Sequence, residues 1–327
     1  MYNSAVILDV KGLTTSFQTP GGTVKAVNDL SFSLKGGETL AIVGESGCGK
    51  SVTSFSLMRL LSRQAAIEGE VWLTARDGKR LNLLALSEKE MEGVRGNQLG
   101  MVFQEPMTSL NPLQHVGDQI AEAMIAHGIC KTAAAQARAL ELLTLVGISA
   151  PEVRARQYPH QMSGGMRQRV MIAMALSCNP QVLIADEPTT ALDVTIQAQI
   201  LRLMRKLQRE VGMGMVFITH DMGVVAQIAD RVAVMYGGQL VETADTKTLF
   251  KNPLHPYTRG LLASVPRPGH SGRLVGIPGQ VETIYGEHVG CRFVNRCAQA
   301  TDLCRADRPA LIAHAEGQLV RCHFAVV

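Results

Sequence analysis

One short segment, residues 40–61, constrains the fold of this chain more than any other. Its apolar run Leu40–Val43 has the length of a buried parallel strand. Gly44-x4-Gly49-Lys50-Ser51 follows, and apolar residues at helical spacing come next. In such a loop the glycines let backbone N–H groups surround phosphates, the lysine reaches the β- and γ-phosphates, and the serine hydroxyl ligates Mg²⁺. A simple glycine turn before a helix is the alternative. The segment predicts a nucleoside triphosphate site at Gly44, Glu45, Ser46, Gly47, Cys48, Gly49, Lys50, Ser51 and Val52.

Length and composition indicate a globular chain. Its 327 residues suffice for one large core and a smaller unit, and 46% of them are hydrophobic against 18% charged. A net charge of +4 without a Lys/Arg block argues against nucleic acid as a partner. We see neither a secretion signal nor about 18 consecutive apolar residues. We therefore expect a cytosolic protein that reaches a membrane only through partners.

Two further apolar runs end in polar residues. "QVLIADEP" places Asp186 and Glu187 at the carboxyl end of a predicted strand, where ligands collect in open parallel sheets. Asp186 suits the Mg²⁺ side of the site, and Glu187 suits a general base for water. His220 follows the third run, "GMVFIT", and could contact the γ-phosphate. Taken singly, the carboxylates could cap a helix and the histidine could be structural, but beside a P-loop they predict one catalytic edge.

A family resemblance rests on a third motif. "HQMSGGMRQRVMIAMAL" places Ser163-Gly164-Gly165 just ahead of a helix whose Met and Ala spacing is that of a buried face. This motif lies between the P-loop and the Asp186-Glu187 pair, and the three motifs have the order and spacing found in the ATP-binding subunits of ABC transporters. Residues 6–250 resemble those subunits. The resemblance implies an α/β P-loop NTPase core over residues 1–250. It also implies an antiparallel β subdomain near the N-terminus, a helical insertion at about 104–162 and a small irregular C-terminal domain at 251–327.

The resemblance carries further site positions. Phe17 matches the aromatic residue that stacks on adenine, although it could equally be a strand residue facing the core. Gln104 matches the glutamine that touches Mg²⁺ and the attacking water, and Asp193 closes the loop 191–193 that communicates across the dimer. Met162 and Met166 depart from the usual leucine and glutamine of the signature, but phosphate would meet Ser163, Gly164 and Gly165. ATP and Mg²⁺ are thus the implied ligands, with Ser51, Gln104 and Asp186 on the metal and Glu187, His220 and Gln104 as the catalytic residues.

The resemblance also implies an assembly. In this family two ATPases face head to tail, and each ATP lies between one P-loop and the other subunit's signature. The chain has one of each and so needs a second ATPase, which we expect to be a different polypeptide. Two membrane permeases, docked on the helical insertion, and an extracytoplasmic substrate-binding protein complete the expected complex. The chain would lie peripherally at the cytoplasmic face of the inner membrane.

Three sequence segments narrow the substrate. "FQEPMTSLNPLQHVGDQI", "DEPTTALDVTIQAQIL" and "NPLHPYTRGLLASVP" look most like importers of dipeptides, oligopeptides and related ligands. The third segment is bounded by Pro253, Pro256 and Pro266 and could instead be a plain linker. Import of nickel or another small solute is one alternative function. A non-transport ABC ATPase is another, although such proteins commonly carry two ATPase halves or a long coiled-coil insertion.

Four cysteines near the end of the chain form a separate pattern. Cys291, Cys297, Cys304 and Cys322 are spaced C-x5-C-x6-C-x17-C. A reducing cytosol and an odd total of seven cysteines argue against disulfides. Four thiolates suit Zn²⁺ or a [4Fe–4S] cluster, and free thiols are the third alternative. The tail resembles those of peptide-importer ATPases that hold such a cluster, which we therefore predict. We expect neighbouring cations to favour thiolates: Arg292, Arg296, Arg305, Arg308 and Arg321.

Overall fold

A computed structural model describes residues 5–105, 109–190, 192–265, 276–314 and 317–325. Ala191 and Pro266 lie outside these ranges. Within them the strands are β1 (Val6–Thr19), β2 (Gly22–Lys35), β3 (Thr39–Val43), β4 (Ala65–Thr74), β5 (Arg80–Asn82), β6 (Leu99–Val102), β7 (Val182–Asp186), β8 (Gly214–Thr219), β9 (Arg231–Tyr236), β10 (Gln239–Asp245), β11 (Ile312–Ala313) and β12 (Leu319–Val320). The α-helices are Lys50–Met58, Glu88–Val94, Val116–Ala126, Thr132–Leu145, Pro151–Arg154, Gly164–Leu176, Val194–Val211, Met222–Ile228, Thr246–Lys251, Pro256–Ala263 and Asp302–Ala306.

A mostly parallel sheet forms the centre. In the part of the chain that the structure describes, its strand order is β11-β12-β10-β9-β3-β8-β7-β6. The stretch from β9 to β6 is parallel, and β10, β12 and β11 add antiparallel strands at one edge. Strands β3, β7 and β8 are buried along their whole length, as continuous apolar runs in parallel sheets are. The predicted strands before the P-loop, the carboxylate pair and His220 are thereby confirmed.

A second, antiparallel sheet in the order β2-β1-β4-β5 covers one face of the first. Strand β1 alternates along much of its length, and its buried members include Leu8, Val10 and Leu13. These side chains pack in one core with Leu40 and Ile42 of β3. The antiparallel β subdomain predicted near the N-terminus is present.

The helical insertion packs as a small bundle. Helices Val116–Ala126 and Thr132–Leu145 contact each other, and both contact Gly164–Leu176, the helix that follows the signature motif. Gly147, at φ +77°, follows the second of these helices and ends it, because this left-handed backbone conformation suits glycine.

The C-terminal extension, which is the part of the chain after residue 250, adds strands to the central sheet. Strand β12 pairs with β10, and β11 pairs with β12. The carboxylate of Glu242, fully buried in β10, accepts hydrogen bonds from the backbone N–H of Leu254 (2.8 Å) and of His255 (2.9 Å). Gln318, next to β12, donates a longer bond to the same carboxylate (3.4 Å). Glu242 therefore fastens both ends of the extension to the ATPase sheet.

We predict that Glu242→Gln destabilises the protein. The carboxylate uses one oxygen for each backbone N–H, whereas an amide would turn an NH₂ group towards one of these donors. A buried donor left without its acceptor costs about 1–3 kcal/mol. Urea unfolding should show this loss against Glu68→Gln, an exposed glutamate of β4. A stability equal to that of the wild-type protein would contradict the anchoring role.

Candidate nucleotide site

The loop between β3 and helix Lys50–Met58 has the shape that its glycines require. Gly44 (φ +157°) and Gly49 (φ +100°) have backbone angles that other residues rarely adopt. A Cβ atom at either position would run into a backbone carbonyl, of Met235 at Gly44 and of Ala26 at Gly49. The two glycines therefore allow the loop to close tightly over the end of the sheet.

Most of the predicted phosphate-binding and catalytic residues line a single cavity of about 450 Å³. Its predicted members are Ser46, Gly47, Gly49, Lys50, Ser51, Val52, Gln104, Glu187 and His220. Ala26 and Thr190 also line it, and neither was predicted. Lys50 is buried, and its Nζ donates to the carbonyl oxygens of Gly44 (2.8 Å) and Glu45 (3.1 Å). The lysine is thus held at the mouth of the loop.

Asp186 lies beneath the loop, at the end of β7. Its carboxylate accepts hydrogen bonds from the hydroxyls of Ser51 (3.1 Å) and Ser54 (3.0 Å). Burial raises the pKa of Asp186, although both hydroxyls and the charge of Lys50 act in the opposite direction. Ser54 was missed by the sequence reasoning, and the available signal was its position three residues after Ser51 on the same helix. The Ser51 hydroxyl and the Asp186 carboxylate form the oxygen pair predicted for Mg²⁺.

Glu187 stands at the centre of a small polar network. Its backbone is in the left-handed region (φ +45°), which is unusual for a non-glycine residue and recurs at functional sites. Its carboxylate accepts from Thr190 Oγ1 (2.8 Å) and Gln104 Nε2 (3.3 Å), and it lies 3.2 Å from His220 Nδ1. Burial alone would raise the pKa of Glu187, but the hydrogen bonds from His220 and Thr190 together with nearby positive charge lower it. The structure therefore brings the predicted catalytic residues together around an ionised carboxylate.

The signature motif lies at the start of a different helix. Ser163 is the N-cap of Gly164–Leu176, and its hydroxyl accepts from the backbone N–H of Met166 (3.4 Å). Ser163 and Gly164 are exposed, and a Cβ atom on Gly165 would come within 3.0 Å of Ile196. Asp193 caps the next helix by accepting from the N–H groups of Thr195 and Ile196. The signature and Asp193 are thus neighbours on a surface outside the cavity of the P-loop.

Three other predicted contact residues are placed differently from the rest. Phe17 is half-buried on β1 and pairs with Val24 of β2 near the end of the hairpin. The side chain of Cys48 is fully buried under the loop. The carboxylate of Glu45 faces away from the cavity, towards Arg296 of the extension. Glu45 and Cys48 therefore have only backbone groups to offer a nucleotide.

The four C-terminal cysteines line one pocket with His255 and His323. The free space there is about 10 Å³, close to that of one water molecule. Among the described residues, no three His, Cys, Asp or Glu side chains are placed to hold a single metal ion. Burial raises the pKa of Cys291 to about 11 and also raises those of Cys297 and Cys322.

The arginines that were expected to favour thiolates do not outweigh burial at Cys291, Cys297 and Cys322. Arg292 donates to the carbonyl of Gly237, Arg296 binds Glu45, and Arg321 donates to the carbonyls of Leu240 and Pro309. These guanidinium groups are engaged with other partners, and the loss of water dominates around the thiols.

Known proteins resemble this chain both in its ATPase core and in its C-terminal region. The family described as ABC transporter matches residues 27–190, and the one described as oligopeptide/dipeptide transporter, C-terminal region, matches residues 241–304. The dipeptide transport ATP-binding protein DppD of Bacillus subtilis (strain 168) is 50% identical over 319 residues, covering 97% of this chain and 94% of that protein. The oligopeptide transport ATP-binding protein OppD of the same organism is 51% identical, covering 96% and 88%.

A solved structure agrees with these relatives. The dimer of the ATP-binding cassette MJ0796 in a post-hydrolysis state, bound to ADP and Pi, has a TM-score of 0.64 and 30% identity, covering 73% of this chain and 98% of its own. The chain belongs to the ABC transporter family and is one of its ATP-hydrolysing subunits. The resemblance that the motifs indicated is confirmed.

In the described ranges of the chain, the helices are too short or too polar to cross a lipid bilayer.

We predict that His220→Ala raises the pKa of Glu187. The substitution removes a hydrogen bond and a partial positive charge that both favour the carboxylate, while burial, which disfavours it, remains. A pH titration of glutamate side-chain carbons by ¹³C NMR measures the change. Glu90, whose pKa is lowered by hydrogen bonds from Ser87, is the internal reference and should not move. An unmoved Glu187 would show that His220 does not act on it.

Proposed function

We propose that this chain powers the import of dipeptides or oligopeptides as the ATPase of an ABC importer at the cytoplasmic face of the inner membrane. One observation carries the proposal: the match over residues 241–304, which extends beyond the ATPase core, is to the C-terminal region of oligopeptide/dipeptide transporters. Relatives covering nearly the whole chain carry the names dipeptide and oligopeptide transport ATP-binding protein, which supports it.

Each polar group around the P-loop has one role in the proposed hydrolysis of ATP. Lys50 and the N–H groups of the loop bind the β- and γ-phosphates, so that negative charge is offset where it develops. Ser51, Asp186 and Gln104 would hold Mg²⁺, which when bound neutralises phosphate charge. Glu187 accepts the proton of the attacking water, and His220 holds that carboxylate from the side.

The site is complete only in a dimer under this proposal. Ser163 and Gly164 are exposed on a surface outside the P-loop cavity, so they suit the phosphates of a second subunit. We infer a different polypeptide as that second ATPase, two permeases bound at the helical insertion, and an extracytoplasmic substrate-binding protein. Adenine would stack on Phe17, and Asp193 would lie at the interface between the two ATPases.

Reconstitution of the importer in vesicles tests this function. Permeases, binding protein, this chain and the second ATPase should give ATP hydrolysis that rises with added peptide. Glu187→Gln should lower turnover about 10²- to 10⁴-fold and still bind ATP, because a general base contributes about that much. Glu92→Gln, an exposed glutamate on helix Glu88–Val94, is the matched control.

Four results would contradict parts of the proposal. Near-normal hydrolysis by Glu187→Gln would remove its assignment as the base. Uptake with permeases and this chain alone would refute the mixed ATPase pair. Stimulation by nickel and not by peptide would transfer the function to the nickel alternative, and hydrolysis indifferent to permeases would favour a non-transport ATPase.

We also propose that Cys291, Cys297, Cys304 and Cys322 hold a [4Fe–4S] cluster. The four thiols come from four short segments and line one pocket, which supports a shared ligand. Four thiolates are the ligand number of a [4Fe–4S] cluster, and the same number suits one zinc ion. The pocket must widen on binding because its free space is small. A bound cluster would tie these segments together, and we infer an organising role for it, not electron transfer.

Anaerobic purification of the full chain, from cells that build clusters, tests this site. About four iron and four sulfide per chain with a visible absorption band are expected. Cys297→Ser should lose much of the iron, whereas Cys130→Ser, outside the pocket, should keep it. Colourless protein without iron would overturn the cluster, and one zinc per chain would replace it.

A further inference from the structure

Glu45, the second residue of the P-loop, is held by the C-terminal extension at two points. Arg296 Nη1 and Nη2 donate to the two carboxylate oxygens of Glu45, at 2.6 Å and 2.9 Å. The hydroxyl of Tyr257 accepts a hydrogen bond from the Glu45 backbone N–H, at 2.8 Å. Two side chains more than 200 positions away in the chain therefore fix one loop residue.

Arg296 is itself fixed before it meets Glu45. Its side chain is only 5% exposed, and it donates to the carbonyl oxygens of Pro278 (2.7 Å) and Gly279 (3.2 Å). The guanidinium group also lies 5.7 Å from the centre of the Tyr236 ring. Because its rotamer is already restricted, binding Glu45 costs little additional side-chain entropy, and a bidentate pair adds directional specificity.

Aromatic packing places this pair rigidly on the sheet. The ring of Tyr236, at the end of β9, lies 4.7 Å from that of Tyr257 and 5.0 Å from that of Phe293, between ring centres. Tyr257 is fully buried. The extension thus contacts the loop from a packed core, and its hold on Glu45 does not depend on an exposed ion pair.

The contact has two consequences for a triphosphate. A carboxylate in a phosphate-binding loop repels its ligand unless a cation offsets it, and Arg296 supplies that cation. Fixing Glu45 at its side chain and its N–H also fixes the arc of backbone from which the adjacent loop N–H groups bind phosphate. We propose that Arg296, assisted by Tyr257, is a positioning residue for ATP binding that acts through Glu45. The proposal rests on the ATP site and not on the identity of the transported substrate.

Binding of a fluorescent ATP analogue with Mg²⁺ to the full chain tests the proposal. Arg296→Ala should weaken binding about 10-fold, as expected for a charged partner removed from a part-buried group. Arg296→Lys should restore part of this, because it returns the charge without the bidentate geometry. The charge-removing double substitution Glu45→Gln/Arg296→Ala should bind within about 3-fold of Glu45→Gln alone, since coupled residues are not additive. Arg202→Ala, an exposed arginine on helix Val194–Val211, is the control and should leave binding unchanged.

Steady-state kinetics of the assembled importer supply a second readout. A positioning role in nucleotide binding raises KM for ATP in Arg296→Ala and leaves kcat close to the wild-type value. Tyr257→Phe, which keeps the ring and removes only the acceptor of the Glu45 N–H, should raise KM by about 3-fold through the loss of one hydrogen bond. This variant decides the question if Arg296→Ala does not fold.

Some outcomes would overturn the proposal. One is unchanged ATP binding by a folded Arg296→Ala protein. If Arg296→Ala does not fold, unchanged ATP binding by Tyr257→Phe has the same meaning. Failure of Glu45→Gln to lessen the effect of Arg296→Ala would show that the arginine acts through its carbonyl partners and not through the loop. Absence of ATP binding by the wild-type chain would instead reject the ATP site itself, with Lys50→Ala as the reference for an empty loop.

Discussion

The parallel alignment of β3, β7 and β8 is the constraint on which this structure depends. Parallel neighbours bring their carboxyl ends to one edge, so whatever follows each strand in sequence becomes a neighbour in space. The P-loop follows β3, Asp186 ends β7 with Glu187 directly after it, and His220 follows β8. These strands are fully buried, and their register is therefore held by apolar packing on both faces and not by the polar residues at their ends. The site can accept unfavourable features, such as the left-handed backbone of Glu187, because the sheet beneath it is rigid.

The C-terminal extension is part of the same mechanical unit as the ATPase sheet. Strands β12 and β11 lengthen the sheet, Glu242 fastens Leu254 and His255, and Tyr257 and Phe293 pack in one cluster with Val43 of β3. The division of the chain into domains 1–250 and 251–327 stays a prediction. Residues on both sides of this division pack against the same central sheet.

Local sequence patterns predicted the strands, the loop and the polar residues at strand ends because these depend on neighbours within a few residues. Gly44, Lys50 and Asp186 belong to motifs of this kind. Tyr257 and Arg296 could not be found in the same way, since their partner Glu45 is more than 200 positions away and neither residue type marks such a contact. The hydrogen-bond partners of the arginines near the cysteines could not be found from sequence for the same reason. Their positions in sequence suggested proximity to the thiols, whereas Arg292 and Arg296 turn to Gly237 and Glu45. Ser54 and Thr190 are intermediate cases, because each lies three residues from a predicted site residue.

The two proposals for the extension meet at one peptide bond. Arg296, which holds the P-loop, is followed directly by Cys297, one of the four thiols of the pocket. The short 3₁₀ helix Val294–Arg296 joins them to Phe293, whose ring packs on Tyr236 and Tyr257. A ligand that widens the pocket at Cys297 therefore acts on the backbone that carries the Arg296 side chain. If both proposals hold, reciprocity requires that ATP binding change the affinity of the cysteine pocket for its cluster by the same factor as the cluster changes the affinity for ATP. The packed rings of Tyr236 and Tyr257 limit the size of this effect, because they restrict how far Arg296 can move relative to Glu45.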